Sequence, residues 1–129
     1  MDILLIEKDR MLRDQVKVGL QQFPEFTVTC GEGYAAVNDV RQRHYDCVFL
    51  GIEGNDRDPL KLLKHLRSFE RTIEVVVMTN PRQAKDLAGE KSRLNIGSFL
   101  PTPIEVEEFF RLVGRMRARR VEIEAVRNK

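Results

Sequence analysis

Apolar residues fall into five short runs, and the segments between the runs repeat apolar positions every three or four residues. Three of the runs are nearly unbroken stretches of Ile, Val and Leu, which is typical of strands buried on both faces of a parallel sheet. In the second run Thr27 and Thr29 alternate with apolar neighbours, as in an edge strand. The pattern therefore predicts strands at residues 3–6, 26–30, 47–52, 73–78 and 96–100.

The segments between the runs carry the signals of helices. Asp9 can cap a helix with one apolar face, and a second helix is predicted over residues 34–42. Pro59 and Pro81 suit the first turn of two further helices, and a long last helix follows Pro103. Strands and helices that alternate at this spacing predict right-handed βαβ units, and hence a doubly wound α/β sheet with helices on both faces.

Length and composition favour one domain without a membrane segment. The chain has 129 residues, of which 42% are hydrophobic, and this is enough to close a single core. The 22 basic and 20 acidic residues leave a net charge of +2, which by itself does not indicate binding to nucleic acid or to a membrane. Because neither a membrane span nor a signal peptide is recognisable, we expect a cytoplasmic protein with no membrane partner.

Cysteine and histidine provide little candidate chemistry. Cys30 and Cys47 each lie in a strand-like run, where we expect buried free thiols, with a disulfide as the alternative. His44 and His65 are isolated in the sequence. The sequence therefore predicts neither a zinc site nor a cysteine–histidine nucleophile pair.

Polar residues at the carboxyl ends of the predicted strands are the candidates for a functional site. In an open parallel sheet the functional crevice lies beyond these ends, where the strand order reverses. The candidates are residues 7–9, residues 51–58, Thr79 and Asn80, and residues 101–103.

These strand ends, in their order along the chain, resemble the receiver domain of two-component response regulators over roughly residues 1–117. The resemblance rests on residues 4–9, on residues 45–52 with the Gly/Asp-rich loop after them, on residues 75–79 and on residues 97–103. It implies a flavodoxin-like sheet of five parallel strands in the order 2-1-3-4-5. It also implies a role in signal transduction.

The resemblance implies an altered phosphorylation site. In the family an aspartate that ends the third strand accepts a phosphoryl group, two acids after the first strand hold Mg²⁺, and a lysine precedes the last proline. Here Gly51 stands at the acceptor position, Lys8 at that of the second acid and Thr102 at that of the lysine, whereas Glu7 and Thr79 keep the family's chemistry. Glycine has no nucleophile, and one acid beside a lysine holds Mg²⁺ weakly. We therefore expect a degenerate pseudo-receiver with no catalytic residue, no metal ligands and weak or absent Mg²⁺ binding.

Two further hypotheses concern charged residues near this pocket. We expect the Lys8 ammonium to lie near Glu7, and in one version also near Glu53, where it replaces the charge of the metal. The alternative to a pocket that is not phosphorylated is phosphorylation of a loop acid such as Asp56 or Asp58. Otherwise we expect these acids to be solvated. The degenerate pocket as a whole comprises Glu7, Lys8, Asp9, Gly51, Glu53, Thr79 and Thr102.

Thr79 and Phe99 match the hydroxyl and the aromatic ring that move together when receivers are switched. The competing interpretation is ordinary strand-end capping by Thr79 and core packing by Phe99, because Gly51 cannot carry a phosphoryl group that would attract the Thr79 hydroxyl. The family often has a cis peptide bond at the position of Thr102–Pro103, so a cis bond is a hypothesis here.

The last helix is longer than the sheet requires. It can run to about Val126, and we therefore divide the chain into a receiver-like domain, residues 1–117, and a helical extension, residues 118–129. A heptad-like seam predicts that this extension pairs with another chain, joins a following domain or frays. The seam consists of Phe109, Leu112, Met116, Arg119, Ile123 and Val126.

Taken together, the residues predict a regulatory module that acts through protein contacts and is not an enzyme. An enzyme with a phosphate cofactor would need Gly or hydroxyl side chains after the first strand, and residues 7–10 have neither. We expect the N-terminal regulatory domain of a transcription regulator, or a stand-alone adaptor, that forms a homodimer through the last helix. The arginines of this helix spread around it, so direct nucleic-acid binding is not expected. The predicted interaction face contains Arg111, Arg115, Met116 and Arg119.

Overall fold

The computed structural model describes residues 1–53 and 58–127 of the chain. Five strands form one sheet: β1 (Asp2–Ile6), β2 (Thr27–Gly31), β3 (Cys47–Gly51), β4 (Glu74–Thr79) and β5 (Ser98–Pro101). All neighbouring strands are parallel, in the order β2-β1-β3-β4-β5. The predicted flavodoxin-like topology is confirmed, and each strand end lies within two residues of its predicted place.

The helices occupy the predicted segments. They are α1 (Arg10–Gln21), α2 (Gly33–Asp39), α3 (Asp58–Phe69), α4 (Pro81–Leu87) and α5 (Val106–Arg127), with a 3₁₀ turn (Ala88–Glu90) after α4. The Asp9 side chain accepts a hydrogen bond from the backbone N–H of Leu12 and caps α1, as predicted. Asn80 caps α4 in the same way, and Pro81 occupies the first turn of that helix.

α2 is shorter than the predicted helix, because it ends at Asp39 and not at residue 42. Tyr45 lies buried just before β3, and its hydroxyl donates a hydrogen bond of 2.7 Å to the Asp39 carboxylate. This contact ties the end of α2 to the start of β3. The chain therefore turns back toward the sheet after Asp39 instead of extending the helix.

Two apolar layers enclose the sheet. On one face, alternate strand residues pack against Val16 and Leu20 of α1 and against Phe109 and Leu112 of α5. On the other face, the remaining strand residues pack against α2, α3 and α4. Successive side chains of a strand point to opposite faces, so the central strands need apolar residues at every position. This requirement produces the unbroken apolar runs of the sequence.

The two cysteines differ in burial. Cys47 in the central strand β3 is fully buried, and burial raises the pKa of its thiol well above the ordinary value. Cys30 is exposed, so the prediction that it is buried is wrong. The reason is that β2 lies at the edge of the sheet, where it pairs with β1 alone. Both thiols are free.

The first half of α5 belongs to the core. Phe109, Leu112 and Met116 are buried. Met116 has no exposed surface, so the prediction that it contributes to an interaction face is wrong. Ile123 and Val126, at the end of the predicted seam, are 45% and 74% exposed. Among the described residues, none of the helices has the length and apolar character to cross a membrane.

Arg67 is a buried charged residue that the sequence did not single out. Its guanidinium donates hydrogen bonds of 2.7–3.1 Å to four backbone carbonyls, those of Glu70, Ile73, Leu94 and Asn95. The loop before β4 and the loop before β5 are thereby held to the end of α3. A guanidinium suits this role because it carries several donors in a rigid plane.

Candidate functional site

The carboxyl ends of β1, β3, β4 and β5 meet at one edge of the sheet, as the topology requires. Glu7 follows β1, Gly51 ends β3, Thr79 ends β4 and Thr102 follows β5. The backbone N–H of Thr102 donates to the carbonyl of Thr79 at 3.0 Å, so the last two are neighbours. The residues predicted from separate strands therefore lie at a common edge.

The Glu7 carboxyl lies directly over the backbone of Gly51. A Cβ atom added to Gly51 would overlap Glu7 Oε2 and lie 2.5 Å from Glu7 Cδ. Real Cβ atoms essentially never approach another atom this closely. The volume that any side chain at residue 51 would enter is thus already filled, and glycine is the residue that fits.

Glu7 is 7% exposed, and its two oxygens differ in their contacts. Oε1 accepts a hydrogen bond of 2.9 Å from the backbone N–H of Asp9. Oε2 is buried and has no hydrogen-bond partner within the part of the chain that the structure describes. Burial raises the pKa of the Glu7 carboxyl, the negative charges of Glu53 and Asp9 add to this, and backbone N–H groups of Asp9 and Lys8 oppose it. The protonated form is therefore favoured relative to an exposed glutamate.

Thr102 and Glu53 form a second contact at this edge. The Thr102 hydroxyl donates a hydrogen bond of 3.0 Å to Glu53 Oε1, although the two residues are far apart in sequence. Thr102 is buried and Glu53 is exposed, so a buried hydroxyl holds one oxygen of a side chain that otherwise faces solvent. The Thr102–Pro103 peptide bond is cis.

Thr79 is fully buried, and its hydroxyl donates to Gln83 Oε1 at 3.5 Å. Gln83 was not among the predicted site residues. Its sequence signal is the spacing Asn80-x-x-Gln83, which is that of a helix capping box, and the Asn80 side chain does accept from the Gln83 N–H. Phe99 is half-buried and packs against the apolar layer beneath α2, α3 and α4. A coupled movement of Thr79 and Phe99 stays a prediction.

The remaining predicted residues are placed as follows. Lys8 and Asp9 are exposed, and the hypothesis that the Lys8 ammonium compensates Glu7 stays a prediction. Asp58 is exposed at the first position of α3. Asp56 lies outside the described residues.

Clefts open on both sides of this edge. One has a volume of about 610 Å³ and lies beside Glu7, Gly51 and the start of α3. The other has a volume of about 780 Å³ and lies between Asp9, Glu53 and the Thr102–Pro103 bond. Both are large enough to admit a small molecule or a side chain of a partner.

The donor set does not match what Mg²⁺ requires. Mg²⁺ takes oxygen ligands in near-octahedral geometry, usually with one or two carboxylates turned toward it. Here the Oε2 of Glu7 is turned onto Gly51 and is shielded from solvent. Among the described residues there is no group of three His, Cys, Asp or Glu side chains placed to hold a metal.

The sheet order and the strand ends agree with those of one family of known proteins. Residues 3–113 match the family model of the response regulator receiver domain, so the chain belongs to that family. Among curated proteins it is 33% identical over 88 residues to stress response regulator protein 1 of Candida tropicalis. The match covers 64% of this chain and 33% of that protein, so the chain spans about a third of its relative's length.

Solved structures share the fold at low sequence identity. NtrX from Brucella abortus superposes with a TM-score of 0.79 at 19% identity, over 99% of this chain and 29% of that one. The receiver domain of AraT from Geobacillus stearothermophilus superposes with a TM-score of 0.76 at 17% identity, over 95% and 97% of the two chains. At these identities the likeness concerns the fold alone.

Proposed function

We propose that the domain is a phosphorylation-independent regulatory module of the cytoplasm that acts by binding other proteins and catalyses no reaction. The observation that carries the proposal is the contact of Glu7 with Gly51. An acceptor aspartate at residue 51 would need the volume that the Glu7 carboxyl occupies. The absence of a side chain at residue 51 therefore both removes the nucleophile and leaves the volume that the Glu7 carboxyl fills.

The other partners of phosphoryl transfer support the same proposal. The transferred group carries dispersed negative charge, which receivers neutralise with a divalent cation and an ammonium group. At the position that the family gives to the lysine, this chain has the neutral hydroxyl of Thr102, and that hydroxyl is bound to Glu53. We expect weak or absent Mg²⁺ binding, because Oε2 of Glu7 is turned onto Gly51 and shielded from solvent.

The decisive experiment is incubation of the full chain with acetyl phosphate and Mg²⁺, followed by intact-mass spectrometry. We expect no phosphoryl adduct, and no fluorescence or chemical-shift response to beryllofluoride with Mg²⁺. The matched control is the variant Glu7→Asp/Lys8→Asp/Gly51→Asp/Thr102→Lys, which recreates the family's residues and should gain an adduct. A stable adduct on the unaltered chain would overturn the proposal.

The test also addresses the alternative of a loop acid as acceptor. Asp58 is exposed and lines the cleft that contains Glu7 and Gly51, which is the observation that favours it. If an adduct forms and Asp58→Asn or Asp56→Asn abolishes it, the domain is an atypical phosphorylated receiver.

Protein contacts are proposed to involve α5. Arg111 and Arg115 are exposed on this helix, as are Phe110 and Val121. We propose a homodimer through α5, within the regulatory domain of a transcription regulator or a stand-alone adaptor. Sedimentation equilibrium of the chain and of Val121→Lys tests the homodimer: a dimer that the substitution dissociates supports the proposal, and a monomer at about 100 μM contradicts it.

A further inference from the structure

α5 continues well beyond Met116, its last buried residue. We call residues 117–127 the terminal segment. Arginines at the start of this segment reach back to the amino-terminal edge of the sheet, opposite the edge that carries Glu7 and Gly51. Each of three arginines contacts a different part of the domain.

Arg117 contacts the connection between α1 and β2. Its Nε lies 2.6 Å from Glu25 Oε1. Its guanidinium carbon lies 4.9 Å from the ring centroid of Phe23. An ion pair and a cation–π contact on the same guanidinium fix its position better than either would alone.

Arg120 contacts the residue that precedes β3. Its Nη1 lies 3.0 Å from Asp46 Oδ1, and the Asp46 side chain is 5% exposed. The same carboxylate accepts a hydrogen bond of 2.7 Å from the Asp2 backbone N–H and contacts His44 Nε2 at 3.0 Å. Burial acts to raise the pKa of Asp46, but these partners and Arg120 together lower it below the ordinary value. Asp46 therefore joins the start of β1 to α5 as a charged group.

Arg119 completes the set through an ion pair with Glu74, the first residue of β4. Between these contacts and the sheet lies a cavity of about 280 Å³, which Met116 and Ile123 also line. The terminal segment is thus held at this edge by charged side chains around a cavity, and not by close apolar packing. The three arginine side chains are 30–50% exposed, so their ion pairs are partly screened by salt and individually weak, and the attachment is reversible.

Two other arginines of α5 show that the pairing is selective. Arg111 and Arg115 are exposed, and neither forms an ion pair with any residue in the described ranges. They lie on the same helix and carry the same charge. The difference is position along the helix: Arg115 and Arg119 lie one turn apart on the same face, but among these arginines only Arg117, Arg119 and Arg120, which follow Met116, reach acids of the strand ends and loops in the described residues.

We infer that Glu25, Asp46 and Glu74 form a docking surface for the terminal segment of α5, and that this docking sets the direction in which the helix leaves the domain. A positively charged partner that binds these acids would release the terminal segment without unfolding the core. It would thereby change the position of anything bound to the terminal segment. The three acids lie at the opposite edge of the sheet from Glu7 and Gly51, and so are not part of the contact on which the proposed function rests.

Amide hydrogen exchange of the full chain, followed residue by residue by NMR, tests the inference. In the variant Arg117→Gln/Arg119→Gln/Arg120→Gln we expect exchange at residues 118–127 to accelerate roughly three- to tenfold, the sum of several weak ion pairs. Residues 109–116 should be unchanged. Glutamine and arginine have similar helix propensities, so intrinsic helicity is preserved.

Matched variants separate docking from other effects. Arg111→Gln/Arg115→Gln removes two positive charges from exposed arginines of α5 that form no ion pair within the described ranges, and should leave exchange unchanged. Glu124→Gln breaks the ion pair between Arg120 and Glu124 within the helix, and should accelerate amide exchange by less than the triple variant does. The exchanged pair Glu25→Arg/Arg117→Glu should retain protection that either single substitution loses. Equal exchange in the triple variant and the unaltered chain, or equal acceleration in the double-arginine control, would overturn the inference.

Discussion

Substitution of Gly51 by alanine tests the contact on which the proposed function rests. The added methyl group would overlap Glu7 Oε2, so the carboxyl must move away from the strand end. Overpacking of this kind costs about 1–3 kcal/mol. Loss of the Glu7–Asp9 hydrogen bond adds about 1 kcal/mol, and the lower entropy of the unfolded alanine chain returns about 0.4–1 kcal/mol. We expect a net loss of about 1–3.5 kcal/mol in the free energy of unfolding.

The assay is urea denaturation of the unaltered chain, Gly51→Ala, Glu7→Ala and the double variant. Because the clash needs both side chains, the substitution at residue 51 should cost little once Glu7 is truncated. The double-mutant cycle should therefore give a coupling energy of about 1–2 kcal/mol. The change in midpoint should occur without a change in the denaturant slope.

Gly89→Ala is the control for the effect of replacing a glycine. A Cβ atom at Gly89 meets nothing within 4 Å, so this variant should be neutral or slightly more stable. Two results would contradict this expectation: a Gly51→Ala variant as stable as the unaltered chain, or a cost of Gly51→Ala that truncation of Glu7 does not relieve. Either result would mean that the Glu7 carboxyl does not occupy the volume beside residue 51.

Three further predictions concern buried polar groups. Because the pKa of Glu7 is raised in the folded state, protonated Glu7 contributes stability at pH values below its pKa in the unfolded chain. This contribution is lost as the pH rises through the pKa of the folded state. Glu7→Gln should remove the loss in urea titrations between pH 4.5 and 7. The lowered pKa of Asp46 has the opposite sign, so its contribution falls on acidification, and Asp46→Asn should flatten the stability profile below pH 4. Arg67→Met should cost about 3 kcal/mol in thermal or urea unfolding, because two buried and two partly buried carbonyls lose their donor, whereas the exposed Arg71→Met should be neutral.

The strands and most helix starts followed from local signals. A strand covered on both faces must be apolar at every position, and Asp9 and Asn80 cap helices through contacts three residues away. The exposure of Cys30 was harder to foresee: it ends a strand-like run of the sequence, but that strand has a single partner in the sheet. Met116 fitted a heptad seam equally well, yet its side of α5 faces the sheet.

The chemistry of the candidate site could be stated from residue types alone. The residue types alone establish that Gly51 has no nucleophile and that Thr102 has no ammonium group. That Glu7 fills the space beside Gly51, and that Thr102 binds Glu53, depends on which strands are neighbours and in what register. Those contacts form between residues far apart in the chain, where local propensity carries no information.

The arginines of α5 show the same division most clearly. Residue order establishes that the helix is long, basic and amphipathic in its first half, because these properties repeat with the helical period. It does not separate Arg117, Arg119 and Arg120 from Arg111 and Arg115, since all five are arginines on one helix. Their roles differ because the folded sheet brings acids to the part of α5 that follows Met116, within reach of Arg117, Arg119 and Arg120, and not to Arg111 or Arg115.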